Sequence, residues 1–120
     1  MNRPKSILIT GGLGFIGFNL AKNLSKTFEK IYIIDSLISK TTNSFNASIK
    51  NIELYKIDLN DTETLTSIVE KSDLIIHLAA KGNVVESVTS PLDNFNSNVI
   101  TTLNLLEVMK KSSKCKKIIF

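Results

Sequence analysis

The stretch ILITGGLGFIG, residues 7–17, places four glycines in seven residues directly behind a run of isoleucine and leucine. A helix interior disfavours glycine by about 1 kcal/mol per residue relative to alanine, so a backbone this bare serves something other than helix stability. Ahead of it, SILIT (Ser6–Thr10) reads as a short apolar strand. Behind it, Leu20, Ala21, Leu24 and Phe28 recur at helical spacing, with Asn19, Lys22 and Lys26 on the opposite side. The glycines therefore form a strand-to-helix turn. In a parallel sheet such a turn lies at the carboxyl edge, where ligands bind. The following helix aims its unsatisfied N–H groups and the positive end of its dipole at the turn, an anion site as long as no side chain blocks it.

Two registers fit the glycines. Gly12, Gly14 and Gly17 match G-x-G-x-x-G, and Gly11, Gly14 and Gly17 match G-x-x-G-x-x-G behind Thr10. In both, Gly14 lets the backbone approach a pyrophosphate and Gly17 lets the helix pack closely. A tight turn with no ligand is the plain alternative. Asp35 weighs against it: it ends a second strand 18 residues after Gly17, near the roughly 20 expected for the acidic residue of a dinucleotide site. Its carboxylate can accept hydrogen bonds from an adenosine ribose diol and would repel a 2′-phosphate, which favours NAD over NADP. The alternative for Asp35 is a cap or turn residue. Lys40, in the loop beyond, leaves room for a phosphate.

Outward from this turn the chain alternates strands and helices. IYIID (31–35), IELYKID (52–58) and DLIIHLAA (73–80) read as strands, and KKIIF (116–120) as the beginning of a fifth. NDTETLTSIVEK offers Asn60 as an N-cap with Glu63 three residues on, then Leu65, Ile68 and Val69 on one face. A long helix over 92–111 follows Pro91; Leu92, Phe95, Val99, Leu103, Leu106 and Met109 form its expected core stripe, leaving Ile100, Leu105 and Val108 on other faces. The segment 36–51 reads as a long loop, a feature that is often functional. This order predicts an α/β, Rossmann-type doubly wound parallel sheet of about five strands, in one domain over 1–120.

The 120 residues are 42% hydrophobic and 22% charged, as in globular proteins that fold in water. MNRPKSILI sets basic residues before an apolar run, but Thr10, the glycines and Asn19 interrupt that run, so no signal peptide is expected. No apolar run has the roughly 18 residues of a membrane span. The single cysteine, Cys115, excludes an internal disulfide, and with one histidine, His77, there is no Cys/His zinc pattern. A cytoplasmic setting and no metal are expected. The net charge of +4 comes from five lysines in KKSSKCKK, Lys110 to Lys117; elsewhere ten basic residues face eleven acidic ones. Such a cluster complements a helix C-terminus, so no nucleic-acid partner is expected.

TGGLGFIG, YIIDSL, IDLND, HLAA and SPLDNFNSNVITTLNLLE, in this order, resemble the extended short-chain dehydrogenase/reductase family, above all its nucleotide-sugar epimerases and dehydratases. The likeness runs over 7–120. It implies bound NAD, with the pyrophosphate held by the turn from Gly11 to Gly17, including Gly14 and the backbone of Phe15 and Ile16. It implies that Asp35 binds the adenosine ribose, with Ser36 beside it where relatives often have asparagine. Asp58 and Leu59 would meet the adenine; Leu78, Ala79 and Ala80 would line the path to the nicotinamide ribose; Asn98 would support the site from the long helix. The loop from Lys81 to Ser90 would approach the sugar nucleotide, and Thr101 stands where many relatives have glycine. The helix 92–111 would join a homodimer contact in a full-length protein through Ile100, Leu105 and Val108.

Outside the motifs, His77 reads as a core or strand-end residue, Glu86 and Ser87 as a solvated turn, and Thr10 as a strand-end hydrogen-bonding residue. Cys115 receives no role. The family's chemistry rests on a Tyr-x-x-x-Lys pair, whereas Tyr32 and Tyr55 are followed four residues later by Ser36 and Leu59. No catalytic residue is assigned, and the chain reads as the NAD-binding portion of a nucleotide-sugar 4-epimerase. The alternatives are a 4,6-dehydratase of the same family or a non-catalytic dinucleotide-binding module. A flavodoxin-like mononucleotide site is disfavoured because Asp35 would have no second ribose to hold.

Overall fold

A computed structural model describes residues 3–36 and 49–120; Lys40 and most of the loop 36–51 lie outside the described residues. Strands β1 (Ser6–Thr10), β2 (Lys30–Asp35), β3 (Ile52–Lys56), β4 (Leu74–His77) and β5 (Ile118–Ile119) form one sheet in the order β3-β2-β1-β4-β5. All four pairings are parallel. β1 is central and completely buried, and its side chains alternate between two cores as the period of a strand requires. Ile7 and Ile9 join Ile31, Ile33 and Ala21 of helix α1 (Phe15–Leu24). Leu8 joins Ile75, the α2 (Thr62–Val69) residues Leu65, Ile68 and Val69, and Leu105 from the long C-terminal helix. Helices thus cover both faces, as doubly wound topology demands.

The chain winds outward from β1 through β2 to β3, then crosses back to β4 and β5. The reversal puts a switch point between the carboxyl ends of β1 and β4, the place where open α/β sheets bind ligands. The third and fourth strands stop at Lys56 and His77, short of the expected Asp58 and Ala80. Register accounts for this: Lys56 is paired with the last residue of β2, Asp35, and His77 with the last residue of β1, Thr10.

The cap of α2 is Asp61 and not Asn60. The Asp61 carboxylate accepts from the Thr64 N–H at 3.1 Å, while the Asn60 amide donates to Asp58 Oδ1 at 2.8 Å. Within the expected loop 81–90, a short helix α3 (Val84–Thr89) forms behind Asn83, which accepts from the N–H groups of Val85 and Glu86.

The long helix starts at Pro91 as α4 (Pro91–Phe95), passes through a π-helical segment (Asn96–Ile100) and continues as α5 (Thr101–Lys111). Its buried face is Thr101, Leu105, Val108 and Met109. Of the expected core stripe only Met109 is buried, whereas Leu92, Phe95, Val99, Leu103 and Leu106 are exposed. The helix bears two apolar rows, and the one that includes the small polar residues Thr101 and Ser112 lies against the fold.

Candidate functional site

At the carboxyl edge of the sheet is a cleft of about 440 Å³, lined by the glycine turn, the ends of β2 and β4, the segment after β3 and the π segment. Its floor is built by close backbone packing. Gly11 has φ +66°, a conformation that side chains rarely adopt, and a Cβ there would lie 2.8 Å from the backbone of Ala79. Gly12 is buried against Ile33, and a Cβ on Gly17 would come within 2.5 Å of the Gly11 carbonyl oxygen. These three glycines are required by the fold itself.

Gly14 is different. It has φ −70° and ψ 170°, open to any residue. The nearest atom to an added Cβ would be the Gly11 carbonyl oxygen at 3.3 Å, and Gly14 faces the cleft. The fold constrains this position far less than the other three, asking only that the Gly11 carbonyl give by a few tenths of an ångström, whereas a ligand lying against it would demand a bare backbone. Gly14 also begins α1, whose first turn has no side-chain cap and no acidic residue. α2 and α3, by contrast, have both: Asp61 with Glu63, and Asn83 with Glu86. The first-turn N–H groups of α1 have no partner within the helix, and the positive end of its dipole is left for an anion at the cleft.

Asp35 lines the cleft from the end of β2, and one of its carboxylate oxygens accepts from the Leu13 N–H at 3.1 Å. It therefore steadies the glycine turn in addition to facing the cleft. Ser36, Asp58, Leu59, Leu78, Ala79 and Ala80 also line it. The Leu59 side chain is buried in the core, so this residue contributes through its backbone. The Asp58 carboxylate accepts from both the N–H and the side-chain amide of Asn60. Phe15 and Ile16 are exposed on the first turn of α1 and do not line the cleft, and neither does Gly17. Asn98 stands behind the wall: its side chain accepts from the Lys81 N–H at 2.7 Å and donates to the Lys81 carbonyl at 3.0 Å. Glu86 and Ser87 sit on α3, away from the cleft.

Sequence reasoning missed Leu13, Ile34, Ile57, Asn60, Lys81, Asn96, Ser97 and Thr101 as lining residues. The last three reach the cleft from the π segment and its C-cap. Thr101 donates to the Ser97 carbonyl and Thr102 to the Asn98 carbonyl, both at 2.6 Å. Such back-bonding threonines at helix bends are the one signal the sequence offered. Behind the β4 edge, Thr10 and His77 are both buried, with Thr10 Oγ1 and His77 Nδ1 2.6 Å apart. Burial lowers the His77 pKa from its ordinary value. Among the described residues there is no cluster of ligands that could hold a metal ion.

A parallel sheet with a positive-φ glycine turn, an uncapped helix N-terminus and a carboxylate at the next strand end defines an α/β fold of the Rossmann type. The model of the family described as GDP-mannose 4,6 dehydratase matches residues 8–120. The chain belongs to this family, the NAD-dependent epimerases and dehydratases of the extended short-chain dehydrogenase/reductase group. It is 39% identical to dTDP-D-glucose 4,6-dehydratase of Dictyostelium discoideum, over 97% of this chain and 28% of the relative. It superposes with a TM-score of 0.85 and 36% identity on UDP-N-acetylglucosamine 4-epimerase from Methanobrevibacter ruminantium M1, solved with UDP-N-acetylmuramic acid, covering 99% of this chain and 38% of that one. The Bordetella bronchiseptica enzyme WbmF in complex with NAD+ matches with a TM-score of 0.83 and 27% identity, over 95% of this chain and 34% of that one. The chain thus spans about a third of the length of the proteins it matches.

Proposed function

We propose that this chain binds NAD and forms the cofactor-binding portion of a nucleotide-sugar 4-epimerase. The observation behind the proposal is Gly14, bare where the fold hinders a side chain least among the turn's glycines, at an uncapped helix N-terminus opening onto a cleft that Asp35 borders. The pyrophosphate would lie on the first turn of α1, with the N–H groups of Phe15 and Ile16 supplying donors while their exposed side chains stay outside. Asp35 would hold the adenosine ribose beside Ser36. The segment Asp58–Leu59 would meet the adenine, and Leu78 to Ala80, braced by Asn98 through Lys81, would flank the nicotinamide ribose. When bound, NAD would supply hydride acceptance and return at the sugar C4. The residues of this chain would bind and orient the cofactor, and the proton chemistry would belong to a Tyr-x-x-x-Lys pair that this chain does not contain.

A 4,6-dehydratase is the second reading, favoured by the family description and by the Dictyostelium relative. No helix among the described residues is long and apolar enough to cross a membrane, and the proposed setting is the cytoplasm. We further propose that a full-length protein pairs with a second copy through the apolar row Leu92, Phe95, Val99, Leu103 and Leu106. The cofactor reading is tested by calorimetry of the folded chain against NAD and NADP at one ionic strength. Saturable binding with NAD preferred supports it, and no binding of either rejects it.

A further inference from the structure

His77 is the chain's only histidine, and both of its ring nitrogens are engaged below the cleft wall. The directions of these bonds can be assigned from their neighbours. Thr10 Oγ1 accepts from the N–H groups of Leu78, at 3.2 Å, and Ala79, at 3.3 Å. A hydroxyl oxygen has two lone pairs and one proton, so with both lone pairs facing amides its proton points at His77 Nδ1, 2.6 Å away. Nδ1 is therefore the acceptor. On the other side, Thr102 uses its proton on the Asn98 carbonyl, at 2.6 Å, so its oxygen accepts from His77 Nε2–H across 2.8 Å. The Thr102 half requires a proton on Nε2, and the Thr10 half requires a bare Nδ1; together they give the neutral Nε2–H ring.

We propose that His77, locked as the neutral Nε2–H tautomer, is a positioning residue of the cleft that sets both sides of its nicotinamide-facing wall. Through Thr10 it orients the amides of Leu78 and Ala79, which line the cleft. Through Thr102 it fixes the Asn98 carbonyl, and the Asn98 side chain clamps Lys81. One ring thus couples β1, β4 and the π segment. This inference rests on the cofactor reading above only for what the wall faces.

Protonation would break the arrangement. A proton on Nδ1 would set three donors against the two lone pairs of Thr10 Oγ1 and leave the hydroxyl proton without an acceptor. The Leu78 N–H keeps its bond to the Thr10 carbonyl at 3.1 Å, so the Ala79 N–H is the wall amide that is disturbed. The groups that face the ring are Thr10 from β1, Thr102 from α5 and the edge-on ring of Phe120, 5.6 Å away beyond β5. None carries a side-chain charge, and β4 has no other ionisable residue. Among the described residues no side-chain carboxylate compensates the charged ring, and burial favours the neutral form. NAD affinity should accordingly be flat above the His77 pKa and fall below it, by up to about tenfold per pH unit.

The test combines nitrogen-15 NMR of the ring with NAD calorimetry between pH 5 and 8. The single histidine makes the ring signal unambiguous. We expect the Nε2–H tautomer, titrating below the ordinary histidine range together with NAD affinity. His77→Asn, which keeps an acceptor near the Nδ1 position but loses the Nε2–H bond to Thr102, should bind NAD about two- to tenfold more weakly at pH 7.5, with its pH dependence flattened. Thr102→Val should lose about two- to tenfold in affinity, with Thr102→Ser restoring it. An Nδ1–H tautomer, or a pH dependence unchanged in His77→Asn, overturns the proposal. A wild-type chain that does not bind NAD overturns the cofactor reading instead, while the tautomer still decides whether the ring is locked as described.

Discussion

At the scale of single residues, the glycines divide into those the fold requires and one that the ligand requires, and substitution can separate them. Gly17→Ala pushes a Cβ to 2.5 Å from the Gly11 carbonyl, so stability should drop by about 1–3 kcal/mol, read as a lowered urea midpoint. Gly14→Val meets only the 3.3 Å contact with that oxygen. It should fold with its stability lowered by about 1 kcal/mol, because valine is a poor N-cap and the contact is tight, yet abolish NAD binding in calorimetry, and retained affinity in the folded variant would sink the cofactor assignment. Asp35 needs a variant that spares its bond to Leu13 N–H. Asp35→Asn keeps an acceptor there and removes the charge, so the preference for NAD over NADP should narrow by about 1.5–3 kcal/mol, roughly tenfold or more. An unchanged ratio would reduce Asp35 to a turn residue. The turn and Asp35 were legible because their spacing is local along the chain. The Leu13 contact joins residues 22 apart and depends on how β2 brings Asp35 under the turn, which no spacing reveals.

At the scale of elements, hydrophobic period located the long helix but not its buried side. Two apolar rows run along it, and a sequence period is silent on which row meets the sheet. Leu103→Asp, on the exposed row, should leave the fold intact and, in a full-length protein, convert the proposed dimer to monomers in sedimentation; a persistent dimer would remove this face from the interface. Val108→Asp, on the buried row, should unfold the chain, because an unpaired charge in the core costs several kcal/mol. At the opposite edge of the sheet, Asp73 ties β1 to β4. Its carboxylate accepts from the N–H groups of Lys5 and Ser6, at 2.8 and 2.9 Å, and from the Ser6 hydroxyl, and it pairs with Lys114 at 3.3 Å. Burial pushes its pKa up, but these bonds, those from Ser6 and Lys5 first, outweigh it and hold the pKa at about 2. A depressed carboxyl stabilises the fold above its unfolded pKa near 3.8 and loses that contribution as pH falls towards 2. The loss should be on the order of 2 kcal/mol in acid titrations of stability, and Asp73→Asn should flatten the curve across this window.

At the scale of the whole molecule, the doubly wound sheet and its strand count were legible because each strand is a short apolar run, most of them isoleucine-rich, beside a turn. The crossover back to β4 was implied by parallel chirality. The cleft was half legible: its walls from β1, β2, β3 and β4 follow from strand ends, whereas the π segment brings Asn96, Ser97 and Thr101 in by a departure from helical period. The same cleft sets the last expectation, that this chain alone turns over no nucleotide sugar even with NAD bound. Its two tyrosines pack side by side, with ring centroids 6.4 Å apart, and neither lines the cleft. The Tyr55 hydroxyl is bonded to Glu53. Both nitrogens of His77 are engaged, so no imidazole is available as a base. General acid-base catalysis contributes about 10²–10⁴-fold, and substrate positioning, which contributes more, needs walls that one side of a cleft does not provide. The purified chain should be assayed with UDP-glucose, UDP-N-acetylglucosamine and dTDP-glucose beside a full-length epimerase relative. Turnover comparable to that relative would overturn the expectation and point to Asp58 or Glu86 as the base; turnover at background would place the proton chemistry outside this chain.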